Sequence, residues 1–146
     1  MPRHFTLTQA EQMLPEVDHA LRDALFHKAE YQAAEEALNA ILQGIRMAGG
    51  SRVNPGPILA TRARRDASAG ALRDVFEKIE QMGVLIKDLD IGLIDFLTRY
   101  QGQDVCLCWK LGEEHIRFWH GTEEGFAGRK PIDDEFVENH RGDAVI

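Results

Sequence analysis

The feature that most constrains the fold is a long amphipathic helix pattern that contains neither glycine nor proline between Glu16 and Gly44. Extended to Met47, such a helix would be about 48 Å long, which exceeds what a domain of this size can cover alone. A second element must therefore lie along it. One heptad position carries the apolar stripe Val17, Ala24, Tyr31, Leu38 and Ile45.

The partner for this helix is a second helix predicted from about Ile58 to Met82. Glycine and proline between residues 48 and 57 predict a loop, and Gly83 is placed to end the second helix as its C′ residue. The two helices should form an antiparallel hairpin. Its half near the loop offers mainly alanine, so we expect that end to need a second copy of the chain or to stay mobile.

The start of the first helix carries two further signals. Thr8-x-x-Glu11 has the spacing of a capping box, which would place the beginning of the helix at Thr8. Pro15 lacks a backbone N–H and disfavours a helical Leu14, so a short first piece that restarts or kinks at Pro15 is predicted.

The C-terminal half predicts a small antiparallel sheet of three to four strands, near residues 84–87, 92–96 and a hairpin over 104–120. Gly112-Glu113 suits a two-residue type II′ turn between the last two strands. That turn fixes the predicted pairs on the core face as Trp109 with Ile116, Leu107 with Phe118, and Val105 with His120. On the mixed face it pairs Lys110 with His115, Cys108 with Arg117, and Cys106 with Trp119.

These elements together predict an α+β protein with an N-terminal long antiparallel α-hairpin packed on a small C-terminal antiparallel β-sheet. At 146 residues with 44% hydrophobic residues, one domain over 1–146 is expected. The hairpin would occupy about 8–82 and the sheet with its loop about 84–132. The acidic tail 133–146 is expected to be loosely held.

The net charge and the cysteines limit which binding partners and which cellular compartment fit this sequence. A net charge of −7 argues against nucleic-acid binding and anionic-membrane binding. The arginine cluster Arg62, Arg64 and Arg65 should instead lie beside Glu35 and Glu36 in the hairpin. The sequence contains neither an apolar membrane span nor the apolar core of a signal peptide. The two cysteines have nearly parallel Cβ directions on one predicted strand, which disfavours a mutual disulfide, and reduced thiols fit a cytoplasmic protein.

Several short sequence motifs of this chain resemble those of a family of small bacterial proteins, domain of unknown function family 2203. They are FTLxxAxxMLP (5–15), GVxIKDLDxGLIDF (83–96), VCLCWKLGE (105–113), IRFWH (116–120) and GFAGRKPI (125–132). The resemblance implies a bacterial source and one full-length domain. It implies no reaction, substrate or cofactor, and it carries over no catalytic residue.

A group of acids and one histidine in the sheet region forms the first candidate site. Asp88, Asp90, Asp95 and His120 are candidate ligands of a divalent metal, and Asp95, His120 and Glu113 are candidate acid–base groups. The alternative is that the acids are solvated or paired with neighbouring cations and that His120 is structural.

Cys106-x-Cys108 forms the second candidate site. The thiols could bind a soft metal with His115, or one of them could act as a nucleophile beside Arg117. The alternative is that both behave as small buried hydrophobes.

The glycine-punctuated loop near Arg129 and the adjacent sheet form the third candidate site. Backbone amides and Arg129 could hold an anion, and a small ligand could contact Asp88, Trp109 or Trp119. The alternative is a tight loop in which Phe126 covers the sheet.

Two function classes follow. The first is a cytoplasmic binding or assembly protein that forms a homodimer through its helical hairpin and presents the sheet to a small-molecule ligand or partner. The second is a metal-binding protein or small hydrolase-type enzyme centred on Asp95, Glu113 and His120. The sequence firmly implies no cofactor, although the acid–histidine group is compatible with a divalent metal.

Overall fold

The structure is a computed structural model that describes residues 2–49 and 53–144. The elements are α1 (Leu7–Met47), α2 (Pro55–Gln81), β1 (Leu85–Asp88), β2 (Leu93–Tyr100), β3 (Gln103–Lys110), β4 (Phe118–Gly121), a 3-10 helix (Phe126–Gly128), β5 (Lys130–Pro131) and α3 (Asp134–Asn139). The α+β class and the N-terminal pair of long helices are therefore confirmed. Part of the predicted loop, residues 50–52, lies outside the described residues.

The chain divides into two compact units. The first unit contains residues 1–21 and 78–146, so it joins the beginning of α1 and the end of α2 to the whole sheet. The second unit contains residues 22–77 and consists of the remaining lengths of both helices. Within it, a guanidinium nitrogen of Arg65 lies 3.1 Å from a carboxylate oxygen of Glu35, which confirms the predicted contact for this one pair.

The first helix begins earlier than predicted because a different capping box is used. The hydroxyl of Thr6 accepts a hydrogen bond from the backbone N–H of Gln9 at 3.1 Å, and the side chain of Gln9 accepts one from the N–H of Thr6 at 2.9 Å. The predicted box at Thr8 and Glu11 is wrong. Glu11 instead accepts a hydrogen bond at 2.7 Å from the backbone N–H of Ile116 in the sheet region.

Pro15 does not divide α1, so the predicted short first piece is also wrong. Pro15 lies on the exposed side of the helix, where water can bond the carbonyl that has lost its intrahelical donor. Leu14, Val17 and Leu21 on the opposite side are buried. Their burial on both sides of Pro15 favours a continuous helix over a break.

The second helix ends at Gly83 as the sequence predicts. Gly83 has a φ of +84°, and its N–H donates to the carbonyl of Glu80 at 2.9 Å while that of Val84 donates to Ile79 at 3.4 Å. This is the Schellman arrangement that satisfies the last carbonyls of a helix. No helix of the described residues is both long enough and apolar enough to cross a membrane.

The sheet has five antiparallel strands in the order β1-β2-β3-β4-β5, rather than the three to four predicted. The additional strand is the short β5, in which Pro131 pairs with Phe118 and Lys130 with Trp119. The side of the sheet that carries Phe96, Leu107 and Trp109 is buried, as expected for a core face.

The predicted register of the last hairpin is wrong by one residue. Cys106 lies opposite His120, and Leu107 lies opposite Trp119. The strands are joined by residues 111–117 rather than by a two-residue turn, and within this connection the carboxylate of Glu113 accepts a hydrogen bond from the N–H of Lys110 at 2.7 Å. A shift of one residue moves every side chain of a strand to the opposite face, so His120 joins the cysteines.

The described part of the C-terminal tail is anchored, which corrects the expectation of a loosely held segment. Phe136 is buried and stacks on Trp119 with ring centroids 5.0 Å apart. The ring of His140 accepts a hydrogen bond from the N–H of Leu7 at 2.9 Å, which satisfies a free donor at the beginning of α1. Arg141 forms an antiparallel bridge with Arg99 of β2.

We predict that Gly142→Ala releases this tail. A Cβ at this position would lie 2.7 Å from the backbone nitrogen of Thr6 and 2.8 Å from the carbonyl carbon of Phe5, neither of which can move cheaply. The free energy of unfolding should fall by about 1–3 kcal/mol, as for other overpacked sites. The measurement is urea unfolding combined with limited proteolysis.

Gly125→Ala is the matched control, since a Cβ there meets nothing within 4 Å. Equal stability and equal proteolysis of the two variants would show that the tail does not depend on the close approach at Gly142.

Candidate functional site

One buried cluster in the sheet brings together an acid, a thiol and an imidazole from three neighbouring strands. Asp95 lies in β2, Cys106 in β3 and His120 in β4. Cys106 is directly opposite His120, and Asp95 is opposite Cys108, two residues further along β3. The carboxylate, the sulfur and a ring nitrogen all lie within 4.8 Å of one another.

The hydrogen-bond partners of the His120 ring show what must lie between Asp95 and His120. Nδ1 of His120 lies 2.7 Å from the carbonyl oxygen of Gly121, which can only accept, so Nδ1 carries a hydrogen and donates it. Nε2 of the same ring lies 3.0 Å from Oδ1 of Asp95. A carboxylate oxygen and a bare imidazole nitrogen would repel each other at this distance. A proton or another cation must therefore lie between them.

Burial excludes water, which could otherwise satisfy these polar atoms. Asp95 is 0% exposed, Cys106 is 2% exposed and His120 is 3% exposed. Oδ2 of Asp95 is buried and has no hydrogen-bond partner among the described residues. Leaving such an oxygen without a partner costs free energy.

Both thiols of this sheet face are held in the protonated form. Burial, reinforced by the negative charge of Asp95, raises the pKa of Cys106 to about 12 and that of Cys108 to about 12. In the metal-free protein neither thiol is therefore a nucleophile near neutral pH. The cation of Arg117, which the sequence placed beside Cys108, is not among the causes of these shifts.

Arg129 lies beside the cluster and is held by aromatic rings and an ion pair. Its guanidinium lies 4.1 Å from the ring centroid of Phe118 and 4.6 Å from that of Phe126. One nitrogen lies 2.6 Å from the carboxylate of Glu113 and 3.4 Å from the carbonyl oxygen of Cys108. Arg129 and Glu113 thus bond each other, and Phe126, which is 44% exposed, packs against the guanidinium.

The other residues singled out from the sequence lie outside the cluster. Asp88 and Asp90 are exposed, and the carboxylate of Asp88 accepts a hydrogen bond from the N–H of Asp90. Trp109 is buried and donates to the backbone carbonyl of Glu113, while His115 is exposed and contacts Glu11. Trp119 is partly buried and stacks on Phe136.

A separate cavity of about 320 Å³ lies at the end of α2 in the first unit. It is lined by Pro2, Arg3, Glu80, Gln81, Gly83, Val84, Leu85 and Leu97. None of the residues predicted to bind a small ligand lines it.

Sequence reasoning paired Asp95 with His120 but assigned Cys106 to a different site. The one-residue error of register is the reason, because the predicted hairpin placed His120 and the cysteines on opposite faces. The signal that could have corrected it is the buried character of Asp95 within the apolar run of β2, since a buried carboxylate needs partners on its own face.

The cluster suits metal coordination better than hydrolysis. Cysteine sulfur, histidine nitrogen and aspartate oxygen are the ligand types of zinc. His120 already has the hydrogen bond from Nδ1 to a backbone carbonyl that orients metal-ligating imidazoles. Acid–base catalysis requires the reacting groups to reach a substrate, and these three side chains are closed off from solvent.

We predict that the two thiols make the metal-free protein sensitive to alkaline pH. In the unfolded chain the thiols ionise near their ordinary pKa of 9.0, while the folded protein holds them protonated to about 12. The unfolded state therefore binds fewer protons in this range, and the free energy of unfolding should fall as the pH rises from 9 towards 12. The measurement is urea unfolding of chelator-treated protein.

The double variant Cys106→Ser/Cys108→Ser isolates the contribution of the thiols from that of tyrosine and lysine. Its stability should decline less steeply over the same range. Parallel profiles would show that the thiols are not protected in the folded state.

Comparison with known proteins is informative at the level of family alone. Comparison with curated proteins and with solved structures gives no match. The family model described as "Uncharacterized conserved protein (DUF2203)" matches residues 3–132, which is most of the chain and includes every member of the buried cluster. The chain therefore belongs to the DUF2203 family of uncharacterised conserved proteins.

Proposed function

We propose that this protein binds a divalent metal ion of the zinc type through Asp95, Cys106 and His120. The observation that carries the proposal is the separation of 3.0 Å between Nε2 of His120 and Oδ1 of Asp95, with Nδ1 already donating elsewhere. Two buried acceptors at this distance require a cation, and a metal ion supplies one that also engages the sulfur of Cys106.

The donor set favours zinc over magnesium or calcium. Magnesium and calcium prefer sites composed of oxygen atoms, whereas a site with one sulfur, one nitrogen and one carboxylate selects a softer ion. The unpartnered Oδ2 of Asp95 gives the carboxylate a second way to reach the ion. Free thiols are typical of proteins in a reducing compartment, so the proposal includes a cytoplasmic location.

We predict that protein purified without a chelator contains nearly one equivalent of zinc, measured by elemental analysis. After removal of the metal, zinc titrated against a competing chromophoric chelator should bind again. Cys106→Ser should weaken binding at least about 100-fold, since removal of a ligand should cost no less than the 10–100-fold typical of outer-shell partners.

His115→Ala is the matched control because His115 is exposed and lies outside the cluster. It should bind zinc as the unchanged protein does. A chain without bound metal that also fails to take up zinc in titration would reject the proposal and leave a shared proton as the cation between Asp95 and His120.

A second candidate function, assembly as a homodimer, is favoured by the surface of the second unit. Phe26 is 60% exposed and Leu59 is 61% exposed, although both are large and apolar. At a spacing of seven residues from Phe26, α1 also exposes Ala33, Ala40 and Met47. Regular apolar exposure on one helix favours packing against another helix.

Charge on the same unit supports a second copy as the partner. Glu30 and Glu36 on α1 are exposed and carry no ion pair within the described part of the chain, and the same is true of Arg62 and Arg64 on α2. A two-fold arrangement that lays α1 of one copy along α2 of the other would pair these opposite charges.

We predict that light scattering at micromolar concentration gives twice the chain mass of 16.5 kDa. Phe26→Glu and Leu59→Glu should each shift the protein towards monomer, because a buried carboxylate in the interface is unpaired. Val137→Glu in the first unit, at a site 46% exposed, is the control and should remain dimeric. A monomeric unchanged chain would refute this second function.

A further inference from the structure

Cys108 is a buried thiol beside the metal cluster that the three-residue ligand set does not use. It lies in β3 directly opposite Asp95, on the sheet face that also carries Cys106 and His120. Cys108 is 0% exposed, and its sulfur lies outside the 4.8 Å set formed by the other three.

A metal held by Asp95, Cys106 and His120 alone would have one position to fill. Zinc in proteins is usually tetrahedral, and in catalytic sites the fourth position is occupied by water or substrate. Here the three ligands are nearly inaccessible to solvent, and their larger neighbours on the same face, Leu97 and Phe118, are apolar. A water ligand would find few polar partners there.

We propose that Cys108 is the fourth ligand and that it closes a site made of two thiolates, one imidazole and one carboxylate. This inference rests on the proposed function. Cys106 and Cys108 are two residues apart on one strand, so their side chains point to the same side of the sheet. A change of side-chain rotamer at Cys108 moves its sulfur without any change of the backbone.

The charges around the two thiols fit this ligand set. Two thiolates and a carboxylate exceed the charge of a divalent ion by one negative unit, and a buried excess of charge needs compensation. The guanidinium of Arg129 is only 10% exposed and supplies positive charge beside Cys108, although it also pairs with Glu113, and its buried Nε has no described partner. The ammonium of Lys87 acts in the same way on Cys106.

A site with four protein ligands would stabilise the fold, whereas a site with an open position could bind a substrate. With four protein ligands the ion has no position for substrate, and its ligands tie β2, β3 and β4 together. The metal would then stabilise the sheet and set its register, because binding to the folded state alone adds to the free energy of unfolding.

The test uses Co²⁺ as a spectroscopic probe, titrated into the full chain after removal of metal. The unchanged protein should show the intense visible bands of tetrahedral Co²⁺ and a near-ultraviolet band from two thiolates. Cys108→Ser should retain binding of Co²⁺ with about half of the near-ultraviolet intensity, because one of two thiolates is gone. Its affinity should fall at least about tenfold.

The outcomes separate the two proposals. If the unchanged protein binds no Co²⁺, both proposals fail. If it binds Co²⁺ but Cys108→Ser has the same spectrum and affinity, the closed site is refuted while the three-ligand site stands. Cys108→Ala, which cannot ligate through a hydroxyl, is measured beside it, and circular dichroism of both variants checks that the sheet is folded.

Discussion

The close approach of Asp95 to His120 is the constraint on which the sheet region depends. With Nδ1 donating to Gly121 at 2.7 Å, the 3.0 Å contact on the other side of the ring needs a cation. A proton satisfies the contact between Oδ1 and Nε2, while the thiols of Cys106 and Cys108 keep their own protons and can donate to the same carboxylate. The proposed metal ion would engage the carboxylate, the imidazole and the sulfur of Cys106 together.

This cluster depends on a register that the local sequence does not reveal. Gly112-Glu113 has the composition of a tight turn, and a two-residue hairpin would have placed His120 opposite Val105 on the other face. The connection over 111–117 is instead held by a distant contact, in which Glu11 of α1 accepts a hydrogen bond from the N–H of Ile116 at 2.7 Å. Tertiary contacts here override the local turn preference, which is why the sequence locates Asp95 and His120 but separates them from Cys106.

The sequence predicted those elements whose pattern lies within their own segment. The helical periodicity predicted both long helices, and the ending at Gly83 required only a glycine after an apolar run. It failed where the two ends of the chain meet. The ring of His140 satisfies the N–H of Leu7, and the carboxylate of Asp143 accepts from the N–H of His4 at 3.0 Å. Neither contact leaves a pattern within its own segment, so the acidic composition of the tail wrongly suggested a loose end.

The position of the cluster within the strands favours a metal that supports the fold over a metal that performs chemistry. Catalytic groups are usually carried by loops or strand ends, where a substrate can reach them. Asp95 and Cys106 lie inside β2 and β3, with buried residues before and after them. Backbone pairing fixes the positions of their Cα atoms, so the separation of these ligands depends on the register of the strands. Metal affinity and sheet stability are then two measures of one equilibrium, and substitution of a ligand should lower both.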